Sequence, residues 1–166
     1  MKTSKEKKNN KALIITLSLC VSVVVVIILL LTLIDPIVGT QRMKKAKEAA
    51  KNSSEIVISS PLYQDAFLQG AEVVLTGEEK EELADLFLAV SEKASYDKSF
   101  DSLGGFWHTK IDFHTSNERY AVYLKDDEIY VANGAKGYEF EIDDDREDLY
   151  EKFIYRINQM LEEATK

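Results

Sequence analysis

A run of 23 residues without a formal charge, from Ala12 to Ile34, constrains this chain more than any other feature. As an α-helix, which rises about 1.5 Å per residue, the run would be about 35 Å long and would cross a hydrocarbon core about 30 Å thick. A cleaved secretory signal would have a shorter apolar region of about 7–15 residues followed by a small-residue cleavage site, and the nearest candidate, Ile37-Val38-Gly39, is poor. The sequence therefore predicts a transmembrane helix over residues 12–34, which Asp35-Pro36 ends because proline disfavours helix at the residue before it.

The only cysteine of the chain, Cys20, lies inside this run. A bacterial lipoprotein cysteine follows a small residue, whereas Leu19 precedes Cys20, and most of the residues that follow it are large and aliphatic. We therefore expect Cys20 to be a small apolar side chain in a lipid-facing helix, with a lipid anchor as the alternative.

Two basic clusters flank the run and bear on its orientation. Residues 1–11 contain five lysines, and residues 42–51 contain five lysines and arginines. The positive-inside rule counts basic residues near the ends of a span. The first cluster adjoins the run, whereas the second begins seven residues beyond it. The sequence therefore predicts a cytoplasmic N-terminus and an extracytoplasmic C-terminal domain.

Charge divides the chain into four predicted parts. These are a basic cytoplasmic tail (1–11), the transmembrane helix (12–34), a basic juxtamembrane stalk (35–53) and an acidic extracytoplasmic domain (54–166). Residues 53–166 carry a formal net charge of −15, against −8 for the whole chain. Because such a domain repels phosphate backbones, nucleic acid is excluded as a partner. The domain contains no cysteine, so disulfides do not hold it together.

The apolar pattern of the domain predicts an α+β fold. Strands alternate or are rich in β-branched and aromatic residues, and the two helices have an apolar face. A capping box at Thr76 and Glu79 starts the first helix, and a run of acidic residues from Asp143 starts the second. The predicted strands are 54–60, 71–75, 106–114, 119–124, 128–132 and 137–142, with residues 95–105 as a loop or an irregular edge strand. The predicted buried residues of the helices are Leu83, Leu86, Phe87 and Val90, then Leu149, Phe153, Ile157, Met160 and Leu161. We expect an antiparallel meander with both helices packed on one face.

The basic stalk contains many helix formers between residues 41 and 52. Its apolar stripe consists only of Met43, Ala46 and Ala50, which predicts too little apolar surface to be buried. We therefore expect a solvated spacer helix, with a basic segment resting on anionic lipid as the alternative.

The strand 106–114 carries both histidines of the chain. Because side chains alternate along a strand, His108, Lys110, Asp112 and His114 share one face. His108 and His114 lie about 20 Å apart at about 3.3 Å per residue, so one metal ion cannot bind both. Asp112 and His114 are neighbours on that face, and a ligand from an adjacent strand could complete a site. His108, Asp112 and His114 are thus the candidates for a metal or acid–base site, with a solvated sheet face as the alternative.

Other catalytic motifs are missing from the sequence. It contains no nucleophile elbow, no phosphate-binding loop and no EF-hand spacing, and the acidic charge opposes phosphate ligands. We expect no catalytic residue outside the histidine strand and no cofactor.

Aromatic residues are concentrated in the last 65 residues. Tyr120 and Tyr123 are three residues apart on one predicted strand, so they point to opposite faces of the sheet. Exposed tyrosine and tryptophan side chains are typical contact residues of binding surfaces. The candidate binding residues are Trp107, Tyr120, Tyr123 and Tyr130.

The order of these segments carries a resemblance. A basic tail, one span and a stalk precede "LTGEEKEEL", "YAVYLKDDEIYV", "KGYEF" and "LYEKFIYRI". In this layout the chain resembles small single-pass membrane-anchored proteins of Gram-positive bacteria. It is also similar in outline to single-pass assembly factors of conjugation or secretion machines, although their outer domains open with long helices. The first resemblance implies an extracytoplasmic domain facing the cell wall and supplies no catalytic residues.

These observations favour a binding module over an enzyme. The first hypothesis is a membrane-tethered extracytoplasmic binding or scaffolding module, held in the lipid bilayer by residues 12–34, that contacts another cell-envelope protein. The alternative is a metal-assisted or acid–base hydrolase that uses Asp112, His114 and His108. A further alternative is a sensor or inhibitor of a secreted enzyme.

Overall fold

The computed structural model describes residues 4–60, 70–100, 108–125, 128–133 and 136–165. The chain forms two compact units, Met1–Ile37 and Val38–Lys166. The helix α1, Ser4–Asn52, contains a stretch long and apolar enough to cross a membrane, judged by length and composition. Pro36 lies inside α1, so the expectation that Asp35-Pro36 ends the helix is wrong. A proline removes only one backbone hydrogen bond, and the helix continues through it.

The second unit is built on a seven-stranded antiparallel sheet, which confirms the α+β class. Its spatial order is β2-β1-β4-β5-β6-β7-β3. Strands β4 to β7 form a meander, whereas the pairs β1–β4 and β3–β7 join segments far apart in the sequence. The strands are β1 Glu55–Ser60, β2 Ala71–Leu75, β3 Ser95–Phe100, β4 Thr109–His114, β5 Arg119–Lys125, β6 Glu128–Asn133 and β7 Lys136–Glu141. The irregular edge strand expected after residue 95 is β3, which has a register shift between Tyr96 and Ser99.

Cross-strand register separates the residues of the sheet into two faces. On one face, Ile58, Ile111 and Val122 are paired neighbours, and all three are fully buried. The same row continues to Val131 and Tyr138, which are also buried. We call this the core face. The opposite face, which we call the polar face, carries Val57, Ser59, Lys110, Asp112, His114, Arg119, Ala121, Tyr123, Tyr130, Ala132, Gly137 and Glu139.

Two helices follow strands of the sheet. They are α2, Gly77–Ser91, and α3, Glu147–Ala164, with a short 3-10 helix at Asp144–Arg146 before α3. The ring centroid of Phe87 in α2 lies 5.0 Å from that of Phe113 and 6.4 Å from that of Phe153 in α3. Aromatic pairs at these separations stabilise a core beyond the area that they bury. The helix α3 also contacts β1 and β2.

Most of the predicted helix stripes are buried. The buried members are Leu83, Phe87, Val90, Phe153, Ile157, Met160 and Leu161, while Leu86 and Leu149 are partly buried. The capping box is wrong, because Thr76 makes no side-chain capping hydrogen bond. Gly77 enters α2 with a φ of 60°, and a residue in this left-handed region does not give the geometry that the box requires.

The C-terminal part of α1 belongs to the core, so the expectation that its apolar stripe stays solvated is wrong. Met43, Ala46 and Ala50 are buried and join the hydrophobic cluster of the second unit. Burial also lowers the pKa of Lys47 below its ordinary value, with Glu92 opposing the shift. Part of the basic stalk is therefore desolvated against the domain.

Close approach explains how such small side chains are buried. A Cβ atom added at Gly39 would lie 2.6 Å from Cδ2 of Tyr96 and 3.1 Å from Cδ1 of Tyr138. Gly39, Met43, Ala46 and Ala50 are spaced by four, three and four residues, so they form one face of the helix. Small residues on this face let α1 pack directly on tyrosine rings of the sheet.

Candidate functional site

One row of the polar face brings together several residues with binding chemistry. Lys110, Tyr123, Tyr130 and Glu139 are consecutive cross-strand partners on β4, β5, β6 and β7. The Nζ atom of Lys110 lies 6.0 Å from the ring centroid of Tyr123. A cation at this distance is attracted to the negative face of the ring. The sheet therefore fixes a charged and aromatic row across four strands.

The adjacent row is lined with small side chains. Asp112, Ala121, Ala132 and Gly137 are consecutive partners across the same four strands. At Gly137 an added Cβ atom would lie 2.0 Å from Cζ of Phe100, so the ring of Phe100 rests directly on this glycine. The small residues create a hollow beside the row of Lys110 and Tyr123, and Phe100 fills the hollow at its β7 end.

At the other end of the hollow, Asp112 is a buried charge with two basic partners. Its Oδ2 atom lies 2.8 Å from Nζ of Lys110 and accepts a short hydrogen bond from Nη2 of Arg119. Burial alone would raise the pKa of Asp112, but the hydrogen bonds from Arg119 and Lys110 outweigh it and hold the pKa below its ordinary value. The other oxygen, Oδ1, is buried and has no hydrogen-bond partner in the described part of the chain. Asp112 thus holds two cations at fixed positions.

These residues line a cavity of about 430 Å³. The wall carries four basic and two acidic side chains, a formal net charge of +2 in a strongly acidic domain. Three elements supply the basic residues. Two come from α1, one from β4 and one from β5. The lining residues are Arg42, Lys45, Lys110, Asp112, Glu118, Arg119, Tyr120, Ala121, Tyr123 and Ala132. Cavities of about 300–1,000 Å³ with a few convergent polar groups are typical of ligand sites.

A second buried carboxylate, Glu139, lies on the same face near the β3 edge. Its Oε1 atom lies 2.6 Å from Nζ of Lys98. Burial raises the pKa of Glu139, a hydrogen bond with Glu128 adds to the shift, and Lys98 opposes it. Tyr130 donates a hydrogen bond to Glu128, and burial together with this carboxylate raises the pKa of Tyr130. The polar groups around Glu139 bond to one another, and the cavity lining does not include them.

The predicted metal-site residues have other partners. Asp112 is engaged by Lys110 and Arg119, while Nδ1 of His114 lies 2.9 Å from Oε1 of Glu55. His108 lies just before β4, where its backbone N–H donates to the carbonyl of Leu124. No group of three His, Cys, Asp or Glu side chains that could hold a metal ion occurs among residues 4–60, 70–100, 108–125, 128–133 and 136–165. The hydrolase hypothesis therefore stays a prediction without a geometric argument.

The predicted binding tyrosines are distributed over both faces. Tyr120 pairs with Phe113 of the core face, whereas Tyr123 pairs with Lys110 and Tyr130 with Tyr123 on the polar face. All three tyrosines are half-buried, and Tyr120 donates a short hydrogen bond to Glu118. Trp107 lies outside the described residues. Tyr123 and Tyr120 line the cavity, so part of the predicted set does converge.

Sequence reasoning missed the basic residues of the cavity. Local charge places Arg42 and Lys45 in a basic stalk, and the strand pattern indicates for Arg119 only that it belongs to a strand. The available signal was the small-residue stripe that begins at Gly39, because it indicates that α1 packs on the domain and brings its basic side chains with it. No protein-family model, no curated protein and no solved structure matches the chain.

Proposed function

We propose that the chain is a membrane-tethered extracytoplasmic binding or scaffolding module that contacts another cell-envelope protein through the polar face of its sheet. The observation that carries the proposal is the row formed by Lys110, Tyr123 and Tyr130, in which neighbouring strands hold a cation beside two tyrosines. Tyrosine and arginine are enriched among residues that dominate binding energy. Arg119, held by Asp112, adds a guanidinium beside this row.

The arrangement of the helices supports the availability of this face. We infer that α2 and α3 both pack on the core face, because the ring of Phe87 lies against Phe113 of that face and against Phe153 of α3. With both helices there, neither α2 nor α3 covers the polar face. Its side chains are fixed by cross-strand contacts before binding, so less conformational entropy is lost on association.

Photo-cross-linking in intact cells tests the partner. A photoreactive amino acid is placed at Tyr123, at Ser59 of the neighbouring β1 strand, or at Tyr155 of α3. Tyr155 is the matched control, because it is an exposed tyrosine on a helix and not on the polar face. We expect one discrete adduct from positions 123 and 59 and none of that mass from position 155. Equal adducts from all three positions, or none at the polar face, would contradict the proposal.

Cysteine accessibility tests the proposed orientation. Cys20, the only native cysteine, is replaced by serine, and Glu163→Cys is introduced at an exposed position of α3. We expect a membrane-impermeant maleimide to label position 163 in intact cells, while Ser4→Cys is labelled only after lysis. Labelling of position 163 only after lysis would place the acidic domain in the cytoplasm and reject an envelope partner.

A further inference from the structure

We propose that the cavity lined by residues of α1, β4, β5 and β6 binds an organic phosphate ester, with the phosphate held by Arg42, Lys45, Lys110 and Arg119. This inference goes beyond the protein partner proposed above and does not depend on it. The binding site is the cavity of about 430 Å³, whose basic residues come from α1, β4 and β5.

Local charge outweighs the acidity of the domain at this position. The net charge of −15 on residues 53–166 opposes the binding of a phosphate ligand when the domain is considered as a whole. Charges more than about 8–10 Å away through solvent are largely screened at physiological ionic strength, so the nearest side chains determine the potential inside the cavity. The lining has a formal net charge of +2, which matches a phosphate dianion.

Asp112 preorganises two of the four basic side chains of this cluster. Its buried carboxylate bonds to both Lys110 and Arg119 and fixes them on the cavity wall. Two cations that are already ordered lose little entropy when an anion binds. The planar guanidinium groups of Arg42 and Arg119 are suited to paired hydrogen bonds with phosphate oxygens. Asp112 is therefore a positioning residue for the phosphate.

The cavity has space and polar groups in addition to its basic side chains, which indicates a phosphate ester as the ligand and not inorganic phosphate. Ala121 and Ala132 form a floor of small side chains, and the volume of the cavity is in the range that holds drug-sized ligands. The buried Oδ1 atom of Asp112 has no hydrogen-bond donor in the described part of the chain, and the Tyr120 and Tyr123 side chains also line the cavity. Hydroxyl groups on the organic part of the ligand would supply donors and acceptors here.

Binding is measured on the full chain in neutral detergent micelles. Isothermal titration calorimetry measures the binding of three probes, which are glycerol 3-phosphate, inorganic phosphate and citrate. We expect saturable binding of glycerol 3-phosphate at one site, and weaker binding of inorganic phosphate. Loss of charge-assisted hydrogen bonds in Arg42→Gln/Lys45→Gln should weaken binding about tenfold or more.

Two variants separate a built site from general charge. Lys44→Gln/Lys51→Gln makes the same charge change on the same helix, but neither residue lines the cavity, so we expect affinity within about twofold of the native chain. Ala132→Leu keeps every charge and fills the hollow, so we expect loss of binding. If the Arg42 variant fails to fold, Lys45→Gln alone replaces it, because Lys45 is exposed.

The outcomes distinguish the proposal from its rivals. Equal weakening in both double variants, native affinity in Ala132→Leu, citrate binding as tight as glycerol 3-phosphate, or no saturable binding of any phosphate ester would each overturn it. The source of the ester is tested by adding short-chain phosphatidylglycerol or phosphatidylcholine to the micelles. Saturable, Lys45-dependent binding of phosphatidylglycerol alone identifies a lipid headgroup, and the same behaviour of glycerol 3-phosphate alone identifies a soluble ester. Either result supports the site.

Discussion

Removal of both cations from Asp112 is the most direct test of the electrostatics of the polar face. In Lys110→Met/Arg119→Met the carboxylate of Asp112 remains buried without its two ion pairs. Leaving a buried charge without its partner typically costs about 3–5 kcal/mol of unfolding free energy. The Asp112 side chain is 2% exposed, but that of Arg119 is 56% exposed, so solvent already screens part of the interaction. We therefore expect a loss of about 3 kcal/mol, at the low end of that range.

The contribution of Asp112 to the pH dependence of stability should change sign in the same variant. In the native chain Asp112 has a lowered pKa, so its stabilisation is present above the unfolded pKa of about 3.9 and is lost as pH falls through the folded pKa. In the variant only burial remains, which raises the folded pKa above the unfolded value. A carboxyl with a raised folded pKa destabilises the fold as pH rises. Relative to the native chain, the variant should therefore gain stability as pH is lowered from about 7 toward about 4.

Urea denaturation of the full chain in neutral micelles measures both effects, with the fluorescence of Trp107, the only tryptophan, as the signal. Arg156→Met is the control, because it breaks the ion pair between Arg156 and the more exposed Glu82 and should cost at most about 1 kcal/mol. Adding Asp112→Leu to the double variant should restore most of the lost stability, since an apolar replacement removes the buried charge. A loss below about 1 kcal/mol, or no recovery at low pH relative to the native chain, would refute the reasoning.

Three further substitutions test separate parts of the structure, each by urea denaturation of the full chain. Glu139→Gln should remove the contribution of Glu139 to the pH dependence of stability, which is a loss of stability as pH rises from about 4.3, because the raised pKa of Glu139 makes its folded form bind a proton that the unfolded form has lost. Parallel curves for the two proteins would contradict this. Gly137→Val should cost about 1–3 kcal/mol, because its Cβ would displace the ring of Phe100, and an unchanged midpoint would argue against that packing. Ala46→Asp should lower the free energy of unfolding by more than about 2 kcal/mol, because it buries an unpaired charge. Lys44→Asp, on the exposed side of α1, should lower it by less than about 1 kcal/mol. Similar losses in the two variants would mean that α1 does not pack in the core.

Local patterns predicted the regular elements well, because each pattern reflects contacts within the element itself. The alternation in residues 119–124 and the stripe through Phe153 and Ile157 correspond to β5 and to the buried side of α3. The pairing of strands that are far apart in the sequence was harder to predict. Nothing in the sequence of β1 indicates that it pairs with β4, or that β3 pairs with β7, because these pairings depend on packing between distant segments.

Prediction of the site failed where it relied on charge along the chain. The histidine strand gave the correct face for Asp112, but the cations that bind it are Lys110, on the same strand, and Arg119, on the next. Register determines this grouping, since Arg119 pairs with His114 and lies diagonally across from Asp112. A strand pattern shows which residues share a face, but only the register shows which of them meet.

The C-terminal part of α1 connects the errors in the fold with those in the site. Its basic residues suggested a stalk in contact with water or lipid, yet burial of Met43 and Ala46 fixes the rotation of this helix in the second unit. With that rotation fixed, the adjacent positions Arg42 and Lys45 line the cavity. The stripe of small residues that begins at Gly39 therefore makes a basic site possible in an acidic domain. It lets a positively charged segment of α1 pack against the sheet.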